Sequence, residues 1–337
     1  MKNGFVEVRL QQNFKIFKFL ICVFGFLFLI FYFSKALMPE LPEVETIKRE
    51  LKNKICGRKI KDIEVRLRKI VNVTPQEFKK RLIGKQILDV KRRAKLLMIE
   101  LSGDERLLIH LKLTGQLIYE RPRRTPKSRF APTGQASPRG RQEIRDKKQE
   151  MRGKHTHVIF YFEKGKMLLY NDLRQFGYIK LLKRDEALRV IEKMKFGPEP
   201  LDKKFTLEIF KEGLFKKARQ KIKPLLMDQS FLAGLGNVYA SEVCFYAEVN
   251  PQRTGSSLKD GEIGKIYEGI KEILQEAIKY KGSSVDTYLD IYGRKGGYMP
   301  HLKVYGREGK KCLRCGVKIK VIKLGGRSTY FCPKCQE

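Results

Sequence analysis

The chain has no tryptophan among its 337 residues and only four histidines. Its core must be built from aliphatic side chains with 21 Phe and 14 Tyr, which at this length suffices for two domains. Acidic residues are scarce beside basic ones, 37 against 72, leaving a net charge of +35. That excess goes far beyond a solubility margin and calls for a polyanionic partner, nucleic acid before a merely adsorbing surface. Cysteine is too sparse and too uneven for a disulfide framework. Four of the seven pair as Cys312-Leu313-Arg314-Cys315 and Cys332-Pro333-Lys334-Cys335, while Cys22, Cys56 and Cys244 are scattered. This pattern suits a reducing compartment with a metal site. A long apolar run is also lacking. Phe19–Ser34 is uncharged for 16 residues between Lys18 and Lys35, short of the roughly 20 that span a bilayer and close to a signal-peptide core. Export signal, membrane anchor and sequence upstream of the true start are its three readings. Nothing after Met38 looks exported, and Met38 is the expected start.

What is present has a clear order. Val44, Ile47 and Leu51 recur at helical spacing, so an early helix is expected over Glu43–Asn53. Short β-rich runs follow at Lys59–Leu67, Gln86–Val90, Leu96–Leu101, Arg106–Leu113, Val158–Phe162 and Met167–Tyr170, with turns at 102–104 and 163–166. Such runs indicate an antiparallel sandwich or barrel. Between them, Arg121–Lys154 holds twelve Lys/Arg against three acids and almost no apolar residue. It reads as a disordered basic insertion with a capacity for non-specific phosphate attraction. Deleting it is expected to flatten the fall of nucleic-acid affinity with salt; an unchanged slope of log K against log salt would discard that role. Gly197-Pro198-Glu199-Pro200 is the best interdomain boundary, and helices are expected beyond it at Thr206–Arg219, Pro224–Leu232, Asn237–Ala247 and Gly261–Tyr280.

Cys312, Cys315, Cys332 and Cys335 have the number and spacing of a tetrahedral structural zinc site, with one Zn2+ and no open coordination position. Val317–Leu324 and Ser328–Phe331 would form a hairpin around Gly325-Gly326, with Arg327 at its tip in reach of a phosphate. His155-Thr156-His157 is not read as a second metal site, because no carboxylate cluster joins the two histidines.

Several segments carry a resemblance. In order, they are Met38–Thr46 (MPELPEVET), Arg92-Arg93-Ala94-Lys95, His110–Gly115 (HLKLTG), Asn171–Gly177 (NDLRQFG), Gly197–Leu201 (GPEPL), Ile222–Asp228 (IKPLLMD), Gly234–Ala240 (GLGNVYA), Val304–Arg307 (VYGR) and the terminal ribbon. Over Met38–Gln336 the chain resembles the formamidopyrimidine-DNA glycosylase/endonuclease VIII family, departing from it in the apolar extension and the basic insertion. The resemblance implies an α+β fold: an N-terminal antiparallel β-sandwich with flanking helices, then a helix-two-turn-helix domain plus zinc ribbon. The expected segments are the extension (1–37), a catalytic domain (38–190), a hinge (191–203), a helical DNA-binding domain (204–305) and the ribbon (306–337). A bifunctional glycosylase and abasic-site lyase for oxidised purines, acting on damaged double-stranded DNA, is the implied function. The PELPEVET motif and the Tyr288–Met299 loop resemble the purine-type branch. Oxidised pyrimidines are the alternative substrate. A non-catalytic zinc-ribbon DNA-binding protein is the alternative class, should Pro39 never be exposed. The expected protein is a cytoplasmic, nucleoid-associated monomer without a small-molecule cofactor, membrane-tethered only if the extension is retained.

Base excision that spares the sugar calls for a nucleophile at the anomeric carbon. An α-amino group, with a pKa of about 8 against about 10.4 for lysine, is far more often neutral at pH 7. A terminal Pro39 would supply it as a rigid secondary amine, whereas Pro39 inside a chain is an amide without that lone pair. Adjacent Glu40 is positioned for general acid/base work. The resemblance gives Glu40 that role and makes Lys95 the proton donor in β-elimination and Arg327 in δ-elimination; arginine hardly ever deprotonates, so Arg327 is a phosphate clamp first. It also makes Leu113, Arg174 and Phe176 the side chains that fill the gap left by a flipped base, and sets His110, His155, Lys223 and Asn237 against backbone phosphates. Glu43 is read either as part of that site or as an acidic residue at a helix N-terminus.

Overall fold

Two four-stranded antiparallel sheets are built from strands within residues 60–120 and 156–183. One has the strand order β1-β6-β7-β5, from Ile60–Val65 (β1), Thr156–Phe162 (β6), Lys166–Asp172 (β7) and Gly115–Glu120 (β5). The other runs β2-β3-β4-β8, from Ile87–Arg93 (β2), Leu96–Leu101 (β3), Glu105–His110 (β4) and Tyr178–Lys183 (β8). Val90, Leu97, Ile99, Leu107, Ile109, Val158, Phe160, Leu168 and Tyr170 meet between them in one buried core. The period-2 alternation of these strands supplies the inward-facing residues. This is a computed structural model; it describes residues 38–120, 153–284 and 287–337. The apolar extension and the basic insertion, apart from Gly153 and Lys154, lie outside the described residues. No helix among the described residues is long and apolar enough to cross a membrane.

Helix α1 (Leu41–Ile55) has Pro42 in its first turn and Lys52 and Lys54 in its last, as dipole and capping preferences favour. Its stripe of Leu41, Val44, Ile47, Leu51 and Ile55 is buried, each side chain contributing about 1.5–3 kcal/mol of burial. Glu45 ties it to β2 through Arg92 at 3.0 Å. Helix α2 (Pro75–Leu82) was not among the expected elements. It starts at a Thr74 cap whose hydroxyl accepts from the Glu77 amide, and seats Phe78 and Leu82 in the core. Strand β8 and helix α3 (Arg184–Lys193) were also unforeseen; their polar faces hide the apolar pattern.

The second half is helical: α4 (Leu207–Lys216), α5 (Ile222–Met227), α6 (Asn237–Tyr246) and α7 (Asp260–Lys279). Helix α6 is buried on every side from Asn237 to Phe245, and Ile263, Ile266, Ile270, Ile273 and Ala277 form the buried stripe of α7. Helices α5 and α6 with the two turns between them make the helix-two-turn-helix element. The expected helix over Pro224–Leu232 stops at Met227, because Asp228 turns extended and its carboxylate accepts from the Ser230 amide. The C-terminal ribbon pairs β9 (Lys320–Leu324) with β10 (Arg327–Phe331) around Gly325-Gly326, close to the hairpin read from the sequence.

Candidate active site

Glu40 stands just before α1, and its carboxyl is buried against the start of α6. Its Oε1 accepts from the Val238 amide at 2.9 Å, whereas Oε2 has no hydrogen-bond partner. Gly234 and Gly236 make this fit achievable. A Cβ on Gly236 would lie 2.3 Å from Glu40 Cδ, and Gly234 adopts φ +90° with its carbonyl accepting from Leu41 N–H at 3.0 Å. In the sequence, the glycines at 234 and 236 suggest a phosphate seat at a helix N-terminus; in the structure the Val238 amide is given to Glu40. Burial pushes the Glu40 carboxyl up to about 7, opposed by the Lys95 charge. Replacing Gly236 with alanine is therefore expected to displace that carboxylate and slow single-turnover base release by about 100-fold, with little change in melting temperature as the check on folding. Pro39 is buried immediately before Glu40, and in this chain Met38 precedes it.

Lys95 is brought to the same place by a two-residue turn. Arg93 pairs with Leu96 across β2 and β3, and Ala94 takes φ +51°. The Lys95 side chain is buried; desolvation pushes its ammonium down, against the charges of Glu40 and Glu43. Arg327, at the start of β10, is near enough for its charge to lower both Lys95 and Lys223. Lys223 is buried, pushed down to about 8 mainly by desolvation. Its Nζ donates to Asn237 Oδ1 at 2.5 Å and to Thr329 Oγ1 at 2.8 Å, and Asn237 Nδ2 donates to the Ser328 carbonyl at 3.1 Å. The ribbon is thus bolted to α5 and α6 beside Arg327.

Glu43 proves to be more than a helix-terminal acid. Its Oε2 accepts from the Glu40 amide at 2.9 Å, and its Oε1 accepts from Tyr239 Oη at 2.5 Å and from Ser283 N–H at 2.8 Å. It joins α1, α6 and the loop after α7 around the Glu40 carboxyl.

Leu113, Arg174 and Phe176 lie together on two loops. Lys112 and Gln175 hold left-handed backbone at φ +52° and +55°, each directly before an apolar side chain of this group. Such strain persists where surrounding contacts enforce it. Here Asp172 enforces it: Thr114 Oγ1 donates to its Oδ1 at 2.5 Å, Arg174 N–H to the same oxygen at 3.2 Å, and Gly177 N–H to its Oδ2 at 2.8 Å. Phe176 is 56 % exposed with the Arg174 guanidinium 5.0 Å over its ring, and neighbouring Leu173 is equally exposed. His110 pairs with Leu96, the residue after Lys95, across the β3–β4 register. Its Nδ1 accepts from the Lys112 amide at 3.0 Å, and burial pushes it down to about 3, so Nε2 carries the proton as a neutral donor. His155 is joined to this region through its carbonyl, which accepts from the Asp172 amide at 2.9 Å. His157 is buried and its Nε2 meets the Asp172 carbonyl at 2.7 Å.

Among the described residues one group has the makeup of a metal centre: Cys312, Cys315, Cys332 and Cys335, with all four sulfurs within 4.8 Å of one another. The sequence reading missed Asp172, Thr114, Glu199 and Glu242. Glu242 is buried and accepts from the amides of Lys303, Val304 and Tyr305 at 2.8–3.1 Å. An acid inside the apolar face of α6 was the available signal.

Three family models match this chain: the formamidopyrimidine-DNA glycosylase N-terminal domain over residues 38–179, its H2TH domain over 196–288, and a zinc finger found in FPG and IleRS over 309–337. A formamidopyrimidine-DNA glycosylase of Heliobacterium modesticaldum is 44 % identical over 301 residues, 89 % of this chain and all of the relative. One from Pelotomaculum thermopropionicum is 42 % identical over 304 residues, 89 % of this chain and 99 % of that protein. A Lactococcus lactis Fpg mutant solved with Fapy-dG-containing DNA superposes with a TM-score of 0.75 at 38 % identity, covering 89 % of this chain and 100 % of that one. MutM bound to DNA containing carbocyclic 8-oxo-G gives 0.74 at 37 % identity, with the same two shares covered. The three matched segments, in the same order and together spanning most of the 337 residues, agree with the sandwich, the two-turn helix pair and the ribbon, and the chain belongs to the formamidopyrimidine-DNA glycosylase family.

Proposed function

We propose that this protein, once it begins at Pro39, excises oxidised purines such as 8-oxoguanine and formamidopyrimidines from duplex DNA and then cuts the abasic strand. The observation that carries the reading is the buried Glu40 carboxyl beside Pro39, with one oxygen held by Val238 and the other unpaired, facing the charge of Lys95. The Pro39 nitrogen forms a bond to C1′ while the glycosidic bond breaks. The electron pair of that bond leaves with the base, which takes a proton from the Glu40 carboxyl. As the C1′–O4′ bond breaks, O4′ takes up the proton that the amine gives up, leaving an iminium at C1′; its acidic C2′ proton then passes to water as the 3′ phosphate leaves. Lys95 serves as proton donor in this β-elimination, and Arg327 holds phosphate and assists the δ-elimination. Leu113, Arg174 and Phe176 occupy the vacated stack, while His110, His155, Lys223 and Asn237 face phosphates. The start at Met38 is supported by the family model beginning at residue 38 and by relatives matched over their whole length.

Borohydride reduction tests this reading. A chain started at Met38 and clipped to Pro39 is expected to be trapped covalently on 8-oxoguanine duplex. Absence of an adduct overturns the mechanism, and faster release of oxidised pyrimidines than of purines overturns the substrate assignment.

The four thiolates fit zinc, whose ligands at about 2.3 Å lie roughly 3.8 Å apart in a tetrahedron; Cys312 and Cys335 sulfurs are 4.0 Å apart, and Cys315 and Cys332 3.4 Å. We assign one structural Zn2+ per chain, holding the ribbon that presents Thr329 and Arg327. Chelation is expected to release one equivalent of zinc and weaken DNA binding by about 10- to 100-fold, the scale of losing hydrogen bonds to charged groups. Elemental analysis with a binding titration checks both.

A further inference from the structure

We propose that Glu199, in the linker between the sandwich and the helices, is a positioning residue that fixes Lys95 against Glu40; this rests on the reading of Lys95 as the β-elimination donor. The turn that carries Lys95 is held from within by Arg92 Nη1, which donates to the Ala94 carbonyl at 2.9 Å, and from outside by the linker. Ala94 is in left-handed backbone, which a residue with a Cβ adopts only under outside constraint. That constraint comes from more than a hundred residues away. Ala94 N–H donates to Glu199 Oε1 at 2.6 Å, Arg93 Nη1 donates to the same oxygen at 2.9 Å, and Arg92 Nη1 lies 2.8 Å from Oε2. Arg93 Nη2 also donates to the carbonyls of Phe196 at 3.1 Å and Gly197 at 2.6 Å. Linker and turn are therefore clasped over five polar contacts.

The linker is tied just as firmly to the seat of Glu40. Gly197 N–H donates to the Gln229 carbonyl at 2.8 Å, and Ala233 N–H to the Pro198 carbonyl at 3.0 Å. Gln229 in turn shapes the glycine loop: its Oε1 accepts from Gly234 N–H at 2.9 Å and its Nε2 donates to the Leu235 carbonyl at 2.8 Å. The segment 196–199 is thus a gauge between two groups of opposite charge. On one side it sets the Ala94-Lys95 turn, on the other the Gly234–Gly236 loop under Glu40. Arg92 reaches past Glu199 to Glu45 of α1, so the same clasp reaches the helix that begins beside Pro39.

The test uses the Pro39-initiated enzyme on duplex with a preformed abasic site, reading covalent trapping by borohydride and strand scission separately. Trapping reports iminium formation, and scission reports the elimination in which Lys95 acts. Glu199→Ala is expected to slow scission by about 10- to 100-fold, the cost of misplacing a catalytic group by an ångström, with trapping changed less than about twofold. Glu199→Gln, whose amide oxygen still accepts the Ala94 N–H, is expected to recover most of the rate. Lys95→Ala should slow scission on its own, and adding Glu199→Ala to it should cost nothing further, because the two act through one group. Normal scission in Glu199→Ala beside slow scission in Lys95→Ala overturns the role of Glu199. So does an equal fall of trapping, scission and thermal stability, which marks a purely structural residue. Normal scission in Lys95→Ala instead removes the reading of Lys95. Should Glu199→Ala melt below the assay temperature, Glu199→Asp withdraws the carboxylate by one methylene and must show the same split.

Discussion

Retaining any residue ahead of Pro39 is expected to abolish lesion cleavage, by about 10⁴-fold or more, the scale on which loss of a nucleophile is felt in hydrolytic enzymes. The reason is electronic. An amide nitrogen shares its lone pair with the carbonyl, whereas a terminal proline keeps it for attack at C1′. Burial alone does not decide the matter: Pro39 is already enclosed beside Glu40 in the chain that carries Met38. The comparison sets the full 337-residue chain against one started at Met38 and clipped, both assayed on 8-oxoguanine duplex with intact mass verified. Both should bind DNA, because the ribbon, the helix pair and the exposed Phe176 are common to them. Equal cleavage by the two would remove Pro39 from the mechanism.

Glu40→Gln is expected to reduce base release by about 10²- to 10⁴-fold, the usual contribution of a general acid/base, and to change how stability depends on pH. In the folded chain the Glu40 carboxyl is pushed from 4.5 up to about 7, chiefly by burial. Between those values folding takes up a proton, so the wild-type protein loses stability as pH rises through the window. The total reaches about 3 kcal/mol above pH 7 and is absent below pH 4.5. Glutamine does not titrate. The melting temperature of the variant relative to wild type should therefore climb by roughly 5 °C between pH 5 and pH 8, whatever fixed cost its buried amide adds. The full-length chain is the material for this melt, since an ammonium on Pro39 would itself favour the carboxylate. A constant difference across the range would show that Glu40 titrates normally.

Much of this architecture was legible because it is written in local patterns. Alternating strands, the Ile263–Ala277 stripe and the CxxC pairs depend on spacing within a few residues. The hairpin around Gly325-Gly326 came within a few residues of β9 and β10 for that reason. Helix α2 could have been seen: Thr74, Pro75 and Glu77 form a start signal that a brief apolar face conceals. The polar framework was not legible in the same way. Glu199 meets Ala94 across 105 positions and Glu43 meets Ser283 across 240, and no local rule links such residues. Lys112 and Gln175 show why strained backbone escapes prediction as well. Neither residue type announces a left-handed conformation; Asp172, at the end of β7, braces both loops through Thr114, Arg174 and Gly177.

The seat of Glu40 has one more consequence. Its anchoring amide, Val238, is 198 residues further along the chain. At about 5–20 residues per second a ribosome needs roughly 10–40 s to make that stretch. Throughout this interval the newly made amino end lacks its counterpart, and no nascent fragment shorter than the α6 helix holds an assembled centre. Until α6 has been made and docked, the amide that seats the Glu40 carboxyl is therefore missing.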